Sequence, residues 1–352
     1  MARFRVALSG DFLKADGSPA FPMFDLEPLR RAGAEVAYVQ AVDGVMRAAD
    51  LEGFDALILL SHRFDTRSIP AEGRLALVAR FGVGYDTVDV PACTKAGIAL
   101  AITPDGVRRP VAVTVLTFML ALASRLFAKD RLTRMGPPGW AIRSQYTGMG
   151  LTGRTLGLLG VGNIGAEVFR LAAPFEMRFI AHDPYIDPAK ARALGAELVD
   201  IETLFREADF VSVNVPLSEA TRGLVGARLL GLMKPTAYLI NTARGPIVDQ
   251  KALSAALAMG RIAGAGLDVF EVEPTPADEP LLRLDNVIVT PHALCLTDEC
   301  LAGNGAADAR AVLAVMRGET PANLVNPEVV DMPQWRRRMA ARKLVAEGAS
   351  GA

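Results

Sequence analysis

The sequence lacks an excess of either charge. Its 352 residues carry 38 Lys+Arg against 39 Asp+Glu, a formal net charge of −1, so no positive surplus exists to hold a polyanion and a nucleic-acid role loses its usual electrostatic basis. Cysteine is scarce: Cys93, Cys295 and Cys300 are the whole set, which fits a reduced, cytoplasmic protein better than a disulfide scaffold. Long hydrophobic runs are missing too. The longest, Val111 to Ala123, includes two threonines and falls short of the roughly 20 residues of a membrane span, so a buried helix is expected there and no membrane partner. The opening residues from Met1 read as a strand rather than a signal peptide, and neither internal repeats nor low-complexity tracts occur. What is present is 51% apolar and 22% charged residues, the composition of a chain that buries a full core. At ~100–200 residues per domain the length predicts two domains.

Short apolar runs recur at Arg5 to Leu8, Ala34 to Val39, Ala56 to Leu60, Leu75 to Val78 and Ile98 to Ile102, with polar or helical stretches between them. A second series runs through Thr155 to Leu159, Arg178 to Ala181, Phe210 to Val213, Ala237 to Ile240, Gly264 to Leu267 and Val287 to Val289. This rhythm is that of βαβ units, so the fold class is α/β with two parallel sheets. Between the series an apolar helix is expected to begin near Arg109-Pro110, because proline suits a first helical turn. Gly136-Pro137-Pro138-Gly139 has the punctuation of a loop, and the tail from residue 327, with Arg336-Arg337-Arg338, reads as a surface appendage.

Gly160-Val161-Gly162-Asn163-Ile164-Gly165 follows one of these strands and opens a helix. In that context the three glycines act differently. Gly160 permits a tight turn, Gly162 lets backbone approach a pyrophosphate, and Gly165 allows close helix packing, while the helix N-terminus offers free N–H groups. The next strand ends in His182-Asp183-Pro184. A carboxylate there accepts from the ribose hydroxyls and repels a 2′-phosphate, so the expected cofactor is NAD rather than NADP. The plain alternative is a glycine-rich turn followed by a surface aspartate.

Three further motifs, Asn241-Thr242-Ala243-Arg244-Gly245, Gly266-Leu267-Asp268-Val269-Phe270-Glu271-Val272-Glu273-Pro274 and Thr290-Pro291-His292, closely resemble those of the NAD-dependent D-isomer-specific 2-hydroxyacid dehydrogenases. The likeness runs from about Ala79 to about Asn323. It implies two Rossmann-like doubly wound parallel-sheet domains, with an NAD-binding domain over 107–292 inserted in a substrate domain formed by 1–106 and 293–326. It also implies a homodimer through the cofactor domains. By resemblance Arg244 binds the substrate carboxylate and keto oxygen, His292 exchanges the proton and Glu273 pairs with it. Val83 and Gly84 match a loop whose N–H groups hold the carboxylate, Asp268 matches an acid that holds the nicotinamide carboxamide, and Val215, Thr242 and Ala243 match positions lining the cofactor.

The chemistry independently asks for these residue types. Reducing a 2-keto acid needs a proton donor that titrates near neutrality and a planar cation that grips a carboxylate at two points. A glutamate beside the histidine favours the imidazolium and steers the ring. The sequence also departs from the family pattern. Bulky Ala293-Leu294-Cys295-Leu296 follows His292, and Arg108-Arg109 stand where small or polar residues are more usual; the loop with His62-Arg63 is cationic too, and either pair is a candidate for a second acidic group on the substrate. His292, Cys295 and Cys300 lack the clustered spacing of zinc ligands, so no metal is expected. The expected function is NAD-dependent interconversion of a small 2-keto acid and its D-2-hydroxy acid by hydride transfer, on a small anionic substrate. A dehydrogenase of formate or phosphite on the same scaffold and an NAD-sensing interaction protein are the alternatives.

Overall fold

The structure, a computed structural model, describes residues 3 to 350. Strands β1 (Arg5–Ser9), β2 (Glu35–Val39), β3 (Ala56–Leu59), β4 (Leu77–Arg80) and β5 (Ala99–Ile102) form a parallel sheet in the order β2-β1-β3-β4-β5. Strands β6 (Thr155–Leu159), β7 (Arg178–His182), β8 (Ala196–Leu198), β9 (Phe210–Val213), β10 (Tyr238–Asn241), β11 (Gly264–Leu267) and β12 (Val287–Val289) form a second, in the order β12-β11-β10-β9-β6-β7-β8, again all parallel. Every residue of β3 and of β6 is buried, as a sheet covered on both faces requires, and this is why these strands read as unbroken apolar runs. Strand order reverses between β1 and β3 in one sheet and between β6 and β9 in the other. Such switch points are where open α/β sheets bind ligands. The apolar pattern did not show β8: it has three residues, one of them Glu197, and is held by its ladder to β7.

The chain divides into two compact units, one made of residues up to Val107 and from Thr297 onward, the other of Arg108–Leu296. The first unit buries its own core of Val6, Leu8, Phe24, Ile58, Ala79 and Val312. The second packs Phe118, Leu156, Phe169 and Ile240 on one side of its sheet and Phe205, Leu239, Leu253 and Leu267 in another cluster.

Two expectations are corrected. The apolar helix begins at Pro104, not near Arg109-Pro110, and runs to Ser124 with Pro110 inside it. Pro104 takes the first turn, where a missing N–H is harmless. Its length and composition would allow it to cross a bilayer, yet Ala112, Val115, Phe118 and Met119 are buried in the second unit. Gly266 of β11 makes the approach possible, since a Cβ there would lie 2.6 Å from Phe118 Cγ.

Nor is the tail a surface appendage. Val329, Trp335 and Met339 join the first unit's core, and from the helix Pro333–Ser350 the Arg338 guanidinium donates to the carbonyls of Gly97 (2.6 Å) and Ala96 (3.0 Å). Burial pushes Arg338 down to about 10, helped by the charges of Arg342 and Arg337. Residues 351 and 352 of that tail lie outside the described residues.

Candidate active site

The second unit gathers its polar residues at the C-terminal ends of β6, β9, β10 and β11. Gly160 turns the chain out of β6 at φ 95°, a region in which side-chain-bearing residues are strained. A Cβ there would also lie 2.8 Å from Val215 Cγ1. Gly162 caps the helix Asn163–Ala172, and a Cβ on it would meet nothing within 4 Å, so its backbone is open to an incoming group. On Gly165 a Cβ would lie 2.5 Å from the Gly160 carbonyl oxygen, so the helix can seat its first turn on the loop only with glycine there. Ile164 lies between them, half-buried. Asp183, at the end of β7, accepts from the Val161 N–H (2.8 Å) and from the Tyr185 N–H (2.9 Å). The carboxylate is therefore locked to the glycine loop itself.

These residues fit a dinucleotide. Besides the open backbone at Gly162, the Thr242 hydroxyl after β10 and the Asn214 side-chain carbonyl oxygen after β9 are buried without a hydrogen-bond partner among the described residues. Buried polar atoms are rarely left so. Asn214 follows the strand beside the glycine loop's own and Thr242 the next strand over, next to Val215 and Ala243 respectively. Sequence reasoning picked Thr242 and missed Asn214, whose signal was its place at the end of a strand beside the switch point.

The catalytic candidates come together on neighbouring strand ends. His292 Nδ1 lies 2.8 Å from Glu273 Oε2, and the other Glu273 oxygen accepts from the Phe270 N–H at 2.9 Å. Partial burial pushes the Glu273 carboxyl up, but the hydrogen bond and charge of His292, the Phe270 N–H and the charge of Arg244 together hold it below its ordinary value. Arg244 thus acts on Glu273 through its charge. Its backbone is fixed by Asn241 Nδ2, which donates to the Arg244 carbonyl at 2.9 Å.

Asp268 has a further role here, one the motif did not reveal. It is 3% exposed, and its Oδ1 accepts from Thr290 Oγ1 (2.5 Å), the Ala293 N–H (3.0 Å) and the Leu294 N–H (3.2 Å). These donors bracket His292, which sits at φ 51°. Such a conformation persists when its surroundings over-determine it, and Asp268 does so. The bulky residue Leu294 packs against the second unit's core.

In the first unit β4 runs into Phe81-Gly82-Val83-Gly84. Gly82 lies at φ 130°, and among the described residues the N–H groups of Val83 and Gly84 donate to no protein acceptor. Two amides able to donate to an anion are left there. His62 and Arg63 lie on a loop organised by Asp11, which accepts from the Ser61 N–H (2.8 Å) and is 3.8 Å from His62 Nε2. In the second unit Arg109 is engaged: its Nη1 donates to Glu167 Oε1 at 3.0 Å, and Glu167 is 4% exposed. Arg108 and Arg63 are exposed. Among the described residues no three His, Cys, Asp or Glu side chains gather as metal ligands.

Comparison with known proteins places the chain in a family. Residues 116–293 match the model of the D-isomer specific 2-hydroxyacid dehydrogenase NAD-binding domain. The chain is 44% identical over 280 residues to a glyoxylate reductase of Korarchaeum cryptofilum, covering 78% of this chain and 84% of that one. It is 40% identical to a D-3-phosphoglycerate dehydrogenase of Methanocaldococcus jannaschii, over 83% of this chain and 56% of the other. Among solved structures, an NADPH-dependent glyoxylate/hydroxypyruvate reductase of Sinorhizobium meliloti in complex with NADP and malonate superposes with a TM-score of 0.78 at 28% identity, covering 93% of this chain and 98% of that one. The chain belongs to the D-isomer specific 2-hydroxyacid dehydrogenase family and is an oxidoreductase of CH–OH donors.

Proposed function

We propose that this enzyme reduces a small 2-keto acid of the glyoxylate class to its D-2-hydroxy acid with NADH. The observation that carries the reading is the His292–Glu273 pair, 2.8 Å apart with the charge of Arg244 acting on Glu273. When bound, the nicotinamide supplies the hydride to the keto carbon. Glu273 holds His292 through Nδ1, which leaves Nε2 as the atom that gives a proton to the keto oxygen and takes it back in oxidation. Arg244 draws electron density from that oxygen and orients the carboxylate. The free N–H groups of Val83 and Gly84 hold the carboxylate, and the glycine loop with Asp183 holds the dinucleotide, NAD in preference to NADP because a 2′-phosphate would meet an ionised carboxylate.

Glyoxylate heads the substrate panel because several similar proteins bear the name glyoxylate reductase. The test is NADH and NADPH oxidation against glyoxylate, hydroxypyruvate, pyruvate and phosphohydroxypyruvate, with formate and phosphite in the oxidative direction. Turnover of formate or phosphite alone, or of nothing, would sink the reading.

Two further parts of the proposal rest on the surface and the thiols. Helices Leu126–Arg134 and Pro137–Ile142 carry Leu126, Phe127 and Trp140, all more than half exposed, an apolar load that a second copy of the chain would cover. Phe127→Glu should then yield a monomer by light scattering. Burial pushes the Cys93 thiol up to about 12, and the small number of cysteines suits a reducing, cytoplasmic setting.

A further inference from the structure

The Phe81–Gly84 loop is tied from behind to a helix more than two hundred residues away in sequence. Gly82 donates its N–H to Thr103 Oγ1 at 2.8 Å and accepts the Thr103 N–H at 3.0 Å. Thr103 Oγ1 in turn donates to Asn304 Oδ1 at 2.7 Å. Thr103 and Asn304 are 1% and 3% exposed, and Asn304 lies on the helix Asp298–Met316. The fit is close: a Cβ on Gly106 would lie 2.2 Å from Asn304 Oδ1, and one on Gly303 would lie 2.9 Å from the Gly106 Cα.

One helical turn beyond Asn304, on the same face, is Asp308, 1% exposed. Its Oδ2 has no hydrogen-bond partner among the described residues. Burial pushes its carboxyl well above the ordinary value, opposed by the charge of Arg80. Arg80 ends β4, and its Nη1 donates to the Phe81 carbonyl. Of the two buried polar residues on this helix face, Asn304 reaches the residue that leads into Val83 and Gly84, through Thr103.

We propose that Thr103 and Asn304 are positioning residues that hold the Gly82 peptide so that the Val83 and Gly84 N–H groups present a fixed two-donor seat to the substrate carboxylate. This rests on the reading of that loop as the carboxylate site. Thr103 has the right chemistry for the relay, because one hydroxyl accepts from the loop and donates to the helix at once. Thr103→Val removes both bonds at nearly constant volume, and Asn304→Leu removes the acceptor.

The expected result is a keto-acid KM raised about tenfold, the scale of one lost buried hydrogen bond, with kcat changed by less than about threefold and the KM for NADH unchanged. Thr103→Ser and Asn304→Asp, which keep the donor and the acceptor, should restore the wild-type KM. Hydrogen exchange of peptides spanning residues 77–88 should be faster in Thr103→Val and normal in Thr103→Ser. A keto-acid KM that stays put in Thr103→Val and Asn304→Leu, an NADH KM that rises in step with it, or unaltered exchange would overturn the brace. If the wild type reduces no keto acid while exchange still quickens in Thr103→Val, the functional reading falls and the brace stands.

Discussion

Gly-Val-Gly occurs twice, at Gly82-Val83-Gly84 after β4 and at Gly160-Val161-Gly162 after β6, each time with the first glycine at positive φ. The two loops end differently. After Gly162 the chain passes straight into the ten-residue helix Asn163–Ala172, whose free N–H groups and dipole suit a pyrophosphate. After Gly84 the next helix is the short Val90–Lys95, and the loop offers two N–H groups that donate to no acceptor among the described residues. One loop is kept in place largely by chain-local means, namely the glycines, the following helix and Asp183. The other depends on side chains from a distant helix. On the proposed reading, main-chain geometry suffices for a large, doubly charged ligand, and side-chain bracing is added where two donors must be aimed.

The largest effect should fall on neither loop. His292→Ala is expected to lower kcat by ~100-fold or more, the scale of a lost general acid, with NADH affinity by fluorescence titration unchanged; near-normal kcat when chemistry limits the rate would remove His292 from the mechanism.

The glycines break the comparison directly. Gly160→Ala and Gly82→Ala each force a side chain into a strained backbone region, at a cost of order 1–3 kcal/mol, so roughly tenfold or more in the ligand each loop serves. Gly160→Ala should weaken NADH and spare the keto-acid KM, and Gly82→Ala the reverse. Equal effects of both variants on both ligands would show that the loops do not divide the work.

Asp268→Asn comes next. The neutral amide is a poorer acceptor for three donors, so the turn at His292 should loosen and kcat should fall by about threefold to tenfold with little change in keto-acid KM. A change confined to NADH binding would return Asp268 to the cofactor role that the resemblance implies.

The pH dependence is a subtler effect. Because Glu273 is held below its ordinary 4.5, it stays ionised from neutrality down into the acid range, and its pairing is lost only as pH falls through that lowered value. Across that range the ionised Glu273 can keep its hydrogen bond to His292 Nδ1. Reduction and oxidation should show opposite pH dependences, and Glu273→Gln should move both toward acid. Stationary profiles would break the pairing.

The smallest effect is on cofactor choice. Asp183→Ser should narrow the NADH preference without reversing it, since no arginine follows Asp183 in the loop to Pro188 to hold a 2′-phosphate. A wild type that prefers NADPH would refute the assignment outright.

The sequence by itself determined the two parallel sheets, because strands buried on both faces must be short and apolar, and it determined the glycine cradle, because Gly160, Gly162 and Gly165 answer to local backbone geometry. Arg244, Glu273 and His292 were legible as chemical types at strand ends. Where the pattern is not local, it was silent or misleading. Pro110 read as a helix start because nothing in the sequence shows that Pro104 already supplies one. The tail read as surface because its charge does not reveal that Arg338 caps the carbonyls of Ala96 and Gly97. Arg109 looked available until the fold set Glu167 beside it. Only the tertiary structure could assign Asp268 to the turn around His292, and Thr103 and Asn304 to Gly82. A hydrogen bond between residues 201 positions apart depends on the packing of a helix against a sheet, which no spacing along the chain encodes.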